Sequence, residues 1–146
     1  MADDEKRVFA LISAIGTIRD QLRQDIDGLR QIHNRWRDSN GSSINLIAQL
    51  TALKSSLGNI LDWLNYAVSD LHPQLVSDLD ILAHSCGLLV RHVDALNARL
   101  DYRDHGAVDV ASKLKYSVAS RSMERLQQVA QRQNDAVNLL LAACQW

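Results

Sequence analysis

The residues of this 146-residue chain best suited to metal or nucleophilic chemistry are its five histidines and two cysteines. His84 and His92 share a helix face two turns apart, roughly 12 Å at a rise of 1.5 Å per residue. That is too far to share one ion. His84 and Cys86 point to different faces. A metal site would need ligands from other segments, and no spacing signals them; histidines on a polar rim are the plainer reading. Asp101, Asp104, His105 and Asp109 gather carboxylates and an imidazole that together suit acid–base work. No nucleophile or oxyanion donor marks a pocket beside them, so they read as a solvated loop. Gly-rich phosphate loops, nucleophile elbows and metalloprotease motifs are absent. The chain has only two glutamates, Glu5 and Glu124, which leaves out the Glu-rich signature of metal sites in bundle cores. The expectation is a non-enzymatic protein with no cofactor, no metal and no small-molecule substrate.

These residues sit in a chain whose composition favours helix. Only 6 Gly and 1 Pro occur in the whole sequence, whereas strand-rich folds need frequent turns. Size fits one domain, large enough to bury most of its apolar surface. A net charge of −1 leaves no electrostatic footprint for nucleic acid. Cys86 and Cys144 fall in apolar helical runs and read as reduced, buried thiols of a cytoplasmic protein. The apolar run Val8 to Ile18 is shorter than the roughly 20 residues a membrane span needs, and no signal peptide is visible.

Four long helices are predicted. The first runs over about 3–36 on the stripe Val8, Leu11, Ile15, Ile18, Leu22, Leu29, Ile32 and Trp36, a three-four spacing broken where Asp25 sits. Residues 38–42 form a polar break, with Ser42 or Ser43 as a helix cap. The second helix, about 44–69, has only Lys54 and Asp62 as charges between its ends, so it is expected to be covered on more than one side. Pro73 opens the third, about 73–101. The last segment is expected to split into a short helix, 108–118, and a long one, 121–145, with Ser120 or Ser122 as the cap. Short connections favour an antiparallel four-helix bundle.

Some apolar positions lie off or beside these stripes. Phe9 and Ile12 lie off the first stripe and, with Val8 and Ile15 on it, widen the apolar face near the N-terminus, as a patch for a membrane or a partner or as packing under another helix. Trp63, Tyr66, Ile81 and Leu88 are candidates for a partner surface, against the plainer reading of rim packing. Arg23, Arg30 and Arg37 recur every seven residues, but Asp20, Asp25 and Asp27 interleave with them, which suits an ion-paired solvated face.

Three stretches carry a family resemblance: LIAQLTALKSSLGNILDWL from Leu46 to Leu64, DLHPQLVSDLDILAHSCGLLVRHVDAL from Asp70 to Leu96, and RQNDAVNLLLAAC from Arg132 to Cys144. Together they resemble the α-helical N-terminal domain of many fungal signalling proteins, related to HeLo-like and STAND-associated domains. The resemblance implies a helical bundle placed ahead of a nucleotide-switch, ankyrin-repeat or G-protein-α-like region. HeLo-like members drive programmed cell death or incompatibility, and an apolar N-terminal helix is held to insert into membrane. Val8 to Ile18 would occupy that position here. The expected function is a protein-interaction domain of intracellular signalling that docks a protein partner or itself. The alternative is a membrane-targeting death effector that acts on anionic membrane through the first helix.

Overall fold

The three-four leucine spacing does what it predicts: it turns one stripe of each helix to a shared core. The computed structural model describes residues 2–36, 41–67, 71–100 and 110–144. They form α1 (Ala2–Trp36), α2 (Ser42–Tyr66), α3 (Pro73–Leu100) and α4 (Val110–Cys144). Every described element is helical. The group Asp101, Asp104, His105 and Asp109 lies outside the described residues, as do Arg37 and Trp146.

The helices pack as a ring in the order α1, α2, α4, α3. Polar bonds fix the directions. His33 Nδ1 lies 2.7 Å from Ser43 Oγ, at the end of α1 and the start of α2, so that pair is antiparallel. Ser42 Oγ meets Glu124 Oε1 at 3.5 Å, and Ser56 Oγ meets Asn134 Oδ1 at 2.6 Å. Numbers rise together along α2 and α4, which therefore run parallel. Although consecutive, α2 and α3 sit across the diagonal. The charge-poor α2, with eleven buried residues from Ser42 to Leu64, is covered on two flanks by α1 and α4.

Two local expectations are corrected. The cap of α2 is Gly41, with φ 73° in the left-handed region that glycine adopts without steric cost. Ser42 and Ser43 instead turn their hydroxyls to Glu124 and His33 and are buried. The last segment is one 35-residue helix rather than two. Ala119 and Ser120 are buried in it, and the small helix penalty of serine is overridden by that packing. Pro73 does open α3, where the preceding His72 accepts the Gln74 N–H at its Nδ1, 3.1 Å away.

Candidate functional site

The core accounts for the main stripes and leaves a small set of large apolar side chains in water. Among the exposed ones are Phe9, Tyr66, Ile81, Leu88 and Leu139. Three of these gather around the C-terminal end of α4.

On α3, Ser85 marks the direction of α4. Gln133 Nε2 donates to its carbonyl and hydroxyl oxygens, each at 2.9 Å. A helix turns about 100° per residue, so Ile81 and Leu88 lie roughly 40° and 60° from Ser85, on the side away from the core. They are 69% and 55% exposed. The antiparallel pairing of α3 with α4 sets Ile81 level with the stretch just before Leu139.

On α2, Ser56 marks the direction of α4 through Asn134 and Asn138, at 2.6 and 3.2 Å. Trp63 follows two turns later on nearly the same face and is half-buried against the core. Tyr66, at the end of the helix, is 91% exposed. With Asn59, Asp62 and Leu141 of α4 these rings line an open cleft of about 600 Å³.

Between these flanks, Leu139 points outward from α4 and is 73% exposed. Ala142 and Ala143 beside it are exposed as well. Trp63, Tyr66 and Ile81, named separately from the sequence, therefore lie on the two flanks of one helix end, while the pairing of Ser85 with Gln133 sets Leu88 further back, level with about residue 130 of α4. Sequence reasoning missed Leu139. Its signal was the run Leu139-Leu140-Leu141, because three successive residues span about 200° of a helix and cannot all face one core.

The N-terminal set divides. Val8 and Ile15 belong to the core, where the stripe carries them, and so form no surface in this fold. Ile12 is partly buried against the core, and only Phe9, 58% exposed, stands in solvent. No helix among the described residues is long and apolar enough to cross a membrane.

One titratable side chain is buried at the seam of α1 and α3, beside an exposed carboxyl. Asp25 of α1 is buried, and burial, followed by its hydrogen bond to and repulsion from Asp94 of α3, pushes its pKa up to about 8. Asn97 Nδ2 donates to the Asp25 carbonyl at 3.2 Å, while Asp25 Oδ2 and Asn97 Oδ1 have no hydrogen-bond partner. The histidines are dispersed: His84 is exposed beside Asp80, His92 is exposed, and His33 ties α1 to α2. Among the described residues, no group of three or more His, Cys, Asp or Glu is placed to hold a metal ion. Arg30 faces Asp27 at 3.8 Å on the outer side of α1, whereas Asp25, expected on the same solvated face, is buried against α3.

Comparisons of the chain with models of protein families, with curated proteins and with solved structures found no match.

Proposed function

We propose that this chain is a protein-interaction domain of intracellular signalling, without an enzymatic role, and that it docks a protein through the outer C-terminal end of α4. The observation that carries the reading is Leu139. It stands in water on the outer face of the end of α4 that the exposed Ile81 of α3 and the Trp63–Tyr66 cleft of α2 flank. Solvent contact at so many large side chains on three helices adds nothing to the stability of the bundle, whereas aromatic and aliphatic anchors of this kind drive association. A net charge of −1 sets up little repulsion between two copies of the chain, so a second copy is the first partner to test.

Sedimentation velocity from about 5 to 500 µM, a range that spans weak self-association, tests it. The expected result is a dimer that Leu139→Glu and Ile81→Glu dissolve without lowering the Tm. A chain that stays monomeric throughout would overturn self-association through this face.

The membrane reading draws support from Phe9 alone among the four N-terminal residues. It needs α1 to leave the bundle, since Val8, Leu11, Ile15 and Ile18 are all buried. At about 25 cal/mol per Å² of apolar area, exposing that stripe costs several kcal/mol before any lipid contact is made. Co-sedimentation with anionic liposomes separates the two readings: retention that Phe9→Asp removes would put the membrane first.

A further inference from the structure

We infer that the cleft between α2 and α4 is a binding site for a cationic side chain, specifically an arginine guanidinium presented by a protein partner. The proposal rests on the docking reading for the source of that arginine, but its chemistry is local to the last turn of α2.

Four features of that turn favour a cation. Trp63 and Tyr66 are one turn apart and both line the cleft, so two aromatic side chains border the same space. Aromatic faces attract cations, tryptophan most strongly. Asp62 lines the same cleft and has no ion-pair partner among the described residues. The negative end of the α2 dipole lies here too, and no basic residue stands in its last turn to offset it. A carboxylate in such a turn is itself unfavourable to the helix, and a bound cation relieves both charges. Leu141 gives the cleft an apolar wall on α4, and Asn59 adds a side-chain carbonyl acceptor.

Guanidinium fits this combination better than ammonium. It is planar and weakly hydrated, so it can stack on an indole, and its paired N–H groups match the oxygens of Asp62. The cleft is open and about 600 Å³ in volume, which admits a side chain delivered on a partner surface.

The test uses an acetylated, amidated Gly-Arg-Gly peptide and its citrulline analogue, which keeps the shape and hydrogen bonds but loses the charge. Both are titrated into the full chain while the Trp63 indole N–H and the Asp62 and Asn59 amides are followed by NMR. Saturable shifts with a dissociation constant on the order of 10 mM are expected for the arginine peptide only. Asp62→Asn should weaken binding severalfold, and Tyr66→Ala, at a side chain that contributes little to the core, should weaken it while the fold stays intact. Equal shifts with both peptides, or linear shifts that never saturate, would overturn the site. The titration is repeated on the Leu139→Glu/Ile81→Glu chain, in which a dimer through α4 would not cover the cleft, so failure here is distinct from loss of the α4 docking face, which sedimentation reports.

Discussion

Asp25 of α1 and Asp94 of α3 meet across the seam between two helices, and neither has a cationic partner among the described residues. The charged groups of the other elements lie elsewhere. Lys54 is half-buried on α2, which packs on α1 and α4, and Arg121, Glu124 and Arg125 of α4 are exposed. Asp25 therefore keeps a proton in the folded state that it would lose when unfolded. Its folded pKa is about 8 against an ordinary 3.8, so the native state binds the extra proton across that window. Stability must fall as pH rises from about 4 to about 8.

Asp25→Asn is expected to remove most of that slope. At pH 8 the variant should exceed the parent by about 2 kcal/mol, with a smaller difference at pH 5. Thermal melts across pH 4–9 provide the check; parallel curves for the two proteins would show that Asp25 is ionised in the fold.

Two glycines of α1 should respond to alanine with opposite signs. A Cβ on Gly16 meets nothing within 4 Å, so Gly16→Ala should add up to about 1 kcal/mol from helix propensity. A Cβ on Gly28 would sit 3.0 Å from Asn97 Nδ2, the atom that donates to the Asp25 carbonyl. Gly28→Ala should cost about 1 kcal/mol as that bond is displaced. Urea midpoints measured side by side decide it, and equal stabilisation by both changes would mean the two helices are not in close contact there.

Adjacent leucines of α3 should behave differently. Leu89 is 1% exposed and Leu88 is 55% exposed. Leu89→Ala should lose about 2–5 kcal/mol through transfer and cavity terms, and Leu88→Ala well under 1 kcal/mol. Similar losses at both positions in denaturant unfolding would contradict the orientation of α3.

The thiols should react in order. Cys86 is fully buried and burial pushes its pKa up to about 12, whereas Cys144 is only half-buried with a smaller upward push of the same origin. Dithionitrobenzoate at pH 8 should label Cys144 first, with Cys86 following only on global unfolding. Two equivalents released at one fast rate would place Cys86 at the surface.

The helices were legible in the amino-acid order, because each core stripe repeats at the period of an α-helix and Asn-Gly and Pro interrupt the pattern at single points. Leu50, Leu57 and Leu64 are buried as their spacing requires. That order also carried the separate suspicion of Trp63, Tyr66, Ile81 and Leu88, which stand beside the stripes. That α2 lies between α1 and α4, and so that Trp63 and Ile81 flank the same end of α4, emerged from the packing of the helices. Periodicity describes one helix at a time. The order in which helices surround a core depends on how much apolar surface each must cover, and no spacing within a single helix records that. The same reason hid Leu139, and it hid the contact of Asp25 with Asp94, whose carboxyls meet only because two helices 69 residues apart in sequence share a seam.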